Sequence, residues 1–510
     1  MKKPLVATLS LIFMFGLAIA ILAITSVYAH WYNWISFFIF HSICCCWAIV
    51  VLTNKKRRFE TRIRWSSFIA FVPIFGIISY IFFGRPYKYK TTKNYSIIDF
   101  KQKQTKQEQK EIEGILTNQI PQFKRSFKTG QNNLNLNLYK NSDVEFLDNG
   151  NKLFLSLFKD ISNAKNYILL NFYIIKEGRL LDQLTNLLIK KLKQGVRVYI
   201  IYDFVGSYDM FSNSKKKLIG YGANIVSYAK VHFPFIKWTA NYRNHRKDIS
   251  IDGKIGYVGG INIGDEYINL SKKFGYWNDA HIRITGSAVQ GIEKIFVSDY
   301  EFYKNNKLPN ILEVEKNIGK IHALKENKNS LVRIISSGPN HNEPIHLSVF
   351  TNLINSAQKR IWISTPYFIP PQEITSALIS AANTGIDVRI LIPGMSDKPF
   401  LLDETKQWTR DLYKAGVKIY SMNNVFNHSK VYLIDDEISF TGSTNLDFRA
   451  LFADQQTMVL TYSKELNKQI SDKFKWDFDH SFEFDFTPND EINWFRKIIV
   501  KILNIIQPLL

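Results

Sequence analysis

The 510-residue chain predicts an α/β protein: two tandem αβ domains forming one pseudo-symmetric unit, preceded by N-terminal transmembrane helices. Three observations carry this. A polar motif occurs twice, the same strand–helix–glycine–strand order runs ahead of each copy, and three apolar runs open the chain.

The motif is the stretch from Asn244-His245-Arg246-Lys247 to Asp252-Gly253, which recurs from Asn427-His428-Ser429-Lys430 to Asp435-Asp436, so that both copies read His-x-Lys-x4-Asp. Gly259-Gly260-Ile261-Asn262 follows the first aspartate at the offset at which Gly442-Ser443-Thr444-Asn445 follows the second. A solvated polar loop yields one such match by accident, but not two with matched flanks. Histidine titrates near neutrality, so it can attack as a free base or donate as an acid, and two of them can divide those jobs. A lysine two residues along a strand shares the histidine's face, where it can neutralise an anion under attack. Asp252 and Asp435 stand at an odd offset, on the opposite face of an ideal strand, so their contact with the paired motif needs a bend.

The αβ alternation starts with a strand over Tyr167 to Tyr173, helical spacing over Leu180 to Lys193, punctuation at Gly195 and a second strand over Val196 to Tyr202. The order returns as Ile361 to Tyr367, Ile374 to Ala382, Gly385 and Ile386 to Ile392. Such repeats predict a largely parallel sheet in each domain. Phe172-Tyr173 and Tyr367-Phe368 read as matched core aromatics. A strand from Leu331 to Gly338 opens the second domain, giving domains over 133–327 and 328–510. The tail from Trp494 to Leu510 has the spacing of an amphipathic helix, suited to a bilayer surface or to docking on the core.

Leu5 to Tyr28 is an apolar run behind Lys2 and Lys3, readable as a retained helix or as a signal peptide cut after Ala29. Trp31 to Thr53 and Trp65 to Gly84 are each near the length that crosses a bilayer. Residues 1–84 are therefore expected to be a multi-pass anchor of two or three helices, followed by a Lys-, Gln- and Asn-rich linker over 85–132. Lys55 to Arg58 would hold one turn in the cytoplasm, whereas Arg85, Lys88, Lys90 and Lys93 pull the other way, leaving the orientation open. The three cysteines, Cys44 to Cys46, lie inside an apolar run and read as packing, not as a disulfide framework. No His or Cys cluster has metal-ligand spacing, and no Gly-rich loop cradles a nucleotide, so neither metal nor cofactor is expected. The net charge of +22 favours an anionic partner, nucleic acid or acidic lipid, and the apolar runs favour lipid.

The doubled motif resembles the phospholipase D superfamily. The flanks Asn241-Tyr242-Arg243-Asn244-His245-Arg246-Lys247, Ile251-Asp252-Gly253-Lys254-Ile255-Gly256-Tyr257-Val258-Gly259-Gly260 and Ser364-Thr365-Pro366-Tyr367-Phe368-Ile369-Pro370 resemble bacterial cardiolipin synthases. The resemblance implies two phospholipase D-like domains in the cell membrane. It also implies a phosphatidyl transfer between two phosphatidylglycerol molecules through a phosphohistidine. His245, Lys247, Asp252, His428, Lys430 and Asp435 would form the catalytic centre, with His245 the nucleophile, and Asn262 and Asn445 would help to hold the phosphate. A lipid phosphodiesterase would share every one of these residues, and a superfamily nuclease would share the motifs but not the apolar runs. A non-catalytic scaffold is disfavoured because both motifs are intact. The chain departs from the synthase pattern at Leu451 to Gln456 and at Asn278 and Ala280, which bears on acceptor choice.

Overall fold

The computed structural model describes residues 32–55, 58–84, 105–130, 137–208, 210–231, 241–271, 275–304, 311, 330–341, 343–398, 400–486, 496 and 499–500. The first apolar run, the basic residues from Arg85 to Lys93, the 327/328 boundary and nearly all of the tail fall outside them. The chain divides into two compact units, one of Met1–Lys88, Ala229–Tyr242 and Ile498–Leu510, the other of Tyr89–Tyr228 and Arg243–Lys497.

In the first unit the second apolar run forms the helix Tyr32–Thr53. The third run was expected as one span. It is broken instead, because helices Phe59–Phe71 and Pro73–Phe83 meet at Val72, whose φ of −130° and ψ of 70° are not helical. Pro73 explains the break: it has no N–H to donate, and its ring disfavours helical geometry in the residue before it. Among the described residues no helix is long and apolar enough to cross a membrane. The three helices share a small core of Cys44, Ala48, Val51, Trp65, Ile69 and Tyr80, and Ser66 Oγ ties them by donating to Ala48 O at 2.8 Å.

In the second unit the first repeat supplies β1 (Ser142–Leu147), β2 (Tyr167–Phe172), β3 (Arg197–Asp203), β4 (Asn224–Tyr228), β5 (Lys247–Ile251), β6 (Ile255–Gly259), β7 (Tyr276–Asn278) and β8 (His281–Gly286). The second repeat supplies β9 (Leu331–Ser337), β10 (Arg360–Ser364), β11 (Phe368–Ile369), β12 (Asp387–Ile392), β13 (Lys418–Ser421), β14 (Val425–Asn427), β15 (Val431–Ile434), β16 (Ile438–Gly442), β17 (Leu446–Asp447), β18 (Gln456–Tyr462) and β19 (Phe482–Glu483). One sheet has the order β1-β8-β6-β5-β2-β3-β4, the other β19-β13-β12-β10-β15-β16-β18-β9. Read from β4 and from β13 the two orders are the same, which is the duplication in three dimensions.

The expectation of largely parallel sheets does not hold. Within these two sheets only β2 to β4, and β10, β12 and β13, pair in parallel, across crossover helices such as Arg179–Lys193 and Gln372–Asn383. From β5 to β8, and from β15 to β18, the ladders are antiparallel. The local cause is a tight turn after each motif. Asp252 and Gly253 have φ of 53° and 67°, Asp435 and Asp436 of 55° and 58°, and consecutive positive φ values make a hairpin turn rather than a crossover.

That turn fixes the motif aspartates far from the histidines, contrary to the expectation that all six motif residues converge. β5 starts at Lys247 and ends at Ile251, so Asp252 lies about 16 Å along the strand from Lys247. Its carboxylate accepts from Lys165 N at 2.8 Å, Asn166 N at 2.8 Å and Tyr167 N at 2.9 Å. Asp435 does the same with Gln358 N at 2.8 Å, Lys359 N at 2.7 Å and Arg360 N at 2.9 Å. Each aspartate pins the start of the strand beside its own motif. Asp435→Ala is expected to remove three charge-assisted bonds and to lower stability by about 3 kcal/mol, seen as a reduced melting temperature of the intact protein. A fall in activity with an unchanged melting temperature would contradict this structural role.

Candidate active site

Each histidine is hung on a strip of backbone from the opposite repeat. His245 N donates to Gln455 O at 2.9 Å and Gln455 N to Arg243 O at 2.8 Å, around a parallel bridge between Asn244 and Gln455. In mirror fashion β14 pairs in parallel with β7, Asn427 opposite Asn278, and His428 N donates to Asn278 O at 2.7 Å. The side chains repeat the link, since Asn278 Nδ2 donates to Asn427 Oδ1 at 3.1 Å. Arg246, fully buried, reaches across to donate to Gln456 O at 3.1 Å and Thr457 Oγ1 at 3.0 Å.

The imidazole partners also come from the opposite repeat, and they differ. His245 Nδ1 lies 3.2 Å from Gln456 Oε1. That oxygen also accepts from Ser443 Oγ at 2.6 Å, so Nδ1 is assigned as the protonated nitrogen and Nε2 keeps its lone pair. His428 Nδ1 lies 2.5 Å from Asp279 Oδ2. Lys247 Nζ folds back along the strand face to His245 O at 2.6 Å. Lys430 Nζ bonds His428 O in the same way and comes within 2.8 Å of His428 Nδ1. That nitrogen cannot both donate to a carboxylate and accept from an ammonium; the shorter contact assigns its hydrogen to Asp279.

The pocket holds its cations under stress. Burial, then Lys247, Lys430 and His428, push His245 well below its ordinary value. Burial and Lys430 lower His428 to about 4, against the opposite pull of Asp279. Burial and Lys430 push Lys247 well down, and burial lowers Lys430 to about 8 against Asp279. Although burial alone would raise it, Asp279 is held below the usual carboxylate range by Lys430 and His428. An anion among these groups relieves the repulsion and restores the charged forms.

Of the expected site residues, His245, Lys247, His428 and Lys430 come together, and Asp252 and Asp435 do not. Asn262 is occupied in holding a loop, accepting from Ile174 N at 3.0 Å and donating to Tyr267 OH at 3.1 Å. Asn445 Nδ2 donates to Asp447 Oδ2 at 3.1 Å, while its buried Oδ1 has no hydrogen-bond partner. Tyr173 was expected to be a core aromatic, but its ring lies 4.7 Å from that of His245 and 5.3 Å from Lys247 Nζ. The strand registers, Phe172 opposite Lys247 and Ser364 opposite Val431, make Pro366 its counterpart, in place of the matched pair expected. Asp279 and Gln456 were not singled out as site residues, because only the fold brings them to the histidines. The signal open to sequence reasoning was their position after the two Gly-x-x-Asn segments.

The fold and the paired half-sites define a phospholipase D-like enzyme. Residues 157–298 and 350–478 match the family described as "Cardiolipin synthase, PLD-like domain", and residues 43–85 match "Phospholipase D-nuclease N-terminal". A cardiolipin synthase of Alkalihalophilus pseudofirmus is 32% identical over 470 residues, covering 90% of this chain and 91% of its own. One of Halalkalibacterium halodurans is 31% identical over 491 residues, with coverage of 94% and 95%. The crystal structure of a phosphatidylserine synthase from Haemophilus influenzae is alike in fold, with a TM-score of 0.58 at 17% identity over 76% of this chain and all of its own. The chain belongs to the cardiolipin synthase family.

The unequal partners give a pH test. If His245 is the nucleophile it has to be neutral to attack, and Gln456→Glu places a carboxylate beside it, raising its value from well below 6.5 back toward that ordinary value. The acid limb of kcat/KM is therefore expected to move to higher pH, with activity lost as pH falls through the raised value. Profiles of both proteins from pH 4 to 8 check this, and an unmoved limb would reject the assignment of Gln456 to His245.

Proposed function

We propose that the chain is a membrane-bound phosphatidyltransferase that converts two phosphatidylglycerol molecules reversibly into cardiolipin and glycerol. The observation that carries this is one buried site in which two histidines with unlike partners face two lysines. His245 Nε2 attacks the phosphorus of the donor. The P–O bond to glycerol breaks while His428, made an imidazolium by the bound anion and by Asp279, passes its proton to the departing oxygen. His428, now neutral, takes the proton of a headgroup hydroxyl on a second phosphatidylglycerol. That oxygen attacks phosphorus, and the P–N bond to His245 breaks. Lys247 and Lys430 offset the phosphate charge throughout, the task a divalent cation would otherwise perform. Domains over 133–327 and 328–510 supply one half-site each.

The reading extends to the membrane. The helix Tyr32–Thr53 exposes Phe38, Ile39, Ile43, Ile49 and Val50, and the next two expose Phe59, Phe71 and Phe75. Apolar side chains on the outside of a small helical unit suit lipid rather than water. We place residues 1–84 in the cell membrane as the anchor that keeps the site beside its substrate.

Purified full-length protein with phosphatidylglycerol vesicles is expected to yield cardiolipin and glycerol in equal amounts, whether or not a chelator is present. Phosphatidic acid as the main product would make it a phosphodiesterase instead, and loss of activity to the chelator with rescue by a stoichiometric metal would reject the role given to the lysines. The histidines are expected to separate under acid quench with labelled lipid. His428→Ala still accumulates a covalent adduct on His245, slowly, whereas His245→Ala forms none. Label mapped to His428 alone would reverse the assignment.

A further inference from the structure

The two half-sites differ beyond the histidine partners. Beside His245 two buried carboxylates face guanidinium groups: Arg243 Nη1 lies 3.4 Å from Asp203 Oδ1, and Arg449 Nη2 lies 3.0 Å from Asp454 Oδ1. Beside His428 the acceptors are in excess. β11 and β17 lie side by side, with Phe368 opposite Leu446 and Ile369 opposite Asp447, which brings Tyr367 next to Asn445. Tyr367 OH donates to Asp397 Oδ1 at 2.7 Å, so Asp397 keeps its second oxygen. Asn445 Oδ1 is buried without a partner, and so is Glu404 Oε1, on the helix that packs Thr405 Oγ1 against Phe368 N at 3.4 Å. Asp397 and Asp447 both act on the Lys430 ammonium, Asp397 acts on the His428 imidazole, and Asp447 acts on Glu404. Two further cations stand nearby: Lys398, whose Nζ sits 4.8 Å from the centre of the Tyr367 ring, and Arg449, which acts on Asp447.

Carboxylates beside a phosphodiester site repel the anion that must bind there, so their presence calls for a compensating ligand group. Buried oxygens with no donor call for hydrogen-bond donors without charge. Among the described residues no group of three or more His, Cys, Asp or Glu is placed to hold a metal ion. Hydroxyl groups are uncharged donors of that kind.

We propose that Asp397, Glu404 and Asn445, with Asp447 behind them, form a polyol subsite that binds the free hydroxyls of the glycerol headgroup on the His428 side of the phosphate. This rests on the proposed transfer reaction and deepens it. The headgroup of the donor leaves from this subsite with the proton of His428, and the headgroup of the second lipid enters it to return a proton to the same imidazole. One subsite serves both half-reactions, as reversibility requires, and holding the incoming glycerol by its other hydroxyl orients its reactive oxygen ahead of water.

The test uses vesicles containing phosphatidylglycerol and phosphatidylpropanol in equal amounts, the second lacking the headgroup hydroxyls, with glycerol and propanol release measured from the same reaction. The ratio is independent of how much enzyme is folded and of whether a lipid or water accepts the phosphatidyl group. The wild-type protein is expected to release glycerol about tenfold or more in excess, because a site built to bond a hydroxyl rejects the analogue without it. Asp397→Asn and Glu404→Gln are each expected to bring the ratio severalfold closer to unity, and Asp397→Glu to restore part of it. A wild-type ratio near unity, or a preference that survives both substitutions, overturns the subsite. If phosphatidic acid replaces cardiolipin while the ratio behaves as expected, the transferase reading fails and the subsite stands.

Discussion

The structure depends on an exchange of backbone between the repeats. Arg243 and His245 are bonded to Gln455, and Asn427 and His428 to Asn278, so neither histidine is positioned by its own repeat alone. Parallel pairing of short segments contributes little by itself, and here it is set inside a common apolar core that includes Val258, Ile282 and Ile292 from the first repeat and Ile334, Phe440 and Val459 from the second. Buried polar links leave few alternative registers, because a slip would strand Asn278, Asn427 and Arg246 without their partners.

With the histidines so held, the lysines turn the site into an anion receptor. Two ammonium groups buried within reach of two imidazoles are costly, and the cost appears as values lowered for Lys247, Lys430, His245 and His428 together. A bound phosphodiester would offset it. In the proposed reaction the anion that is to be cleaved thus raises the proton affinity of His428, which couples binding to the protonation that the first step needs.

Sequence reasoning reached the four residues of this receptor because their chemistry is local: a histidine and a lysine two apart on one strand face, repeated. It misplaced the aspartates because conservation of spacing within a motif says nothing of which end of a strand does chemistry, and the Asp252-Gly253 dipeptide carried its own hairpin signal. That signal also accounts for the antiparallel ladders where parallel ones were expected. Pro73 likewise stood in view inside the third apolar run and breaks it. Asp279 and Gln456 were beyond local reasoning, since Gln456 lies 211 positions from His245 in the chain and Asp279 149 from His428. Tyr173 was read by composition as core, and its true neighbour, the His245 ring, follows only from the register of β2 against β5.

Duplication gives two equivalent histidines, yet the reaction needs them unequal. The scaffold stays symmetric down to the backbone bond each histidine donates, and the difference is confined to side chains: a neutral amide against His245, a carboxylate against His428, guanidinium-paired acids on one side and free acceptors on the other. This is the economical place for it. A nucleophile must shed its proton and keep it off, so a charged acceptor beside it would work against attack. In the proposed transfer the second histidine holds a proton, gives it to one glycerol oxygen and takes it back from another, so it benefits from an anionic partner in both directions. Surroundings that suit a leaving alcohol suit an arriving one, and in the proposed reaction the asymmetry that selects the nucleophile therefore also decides on which side of the phosphorus the headgroups pass.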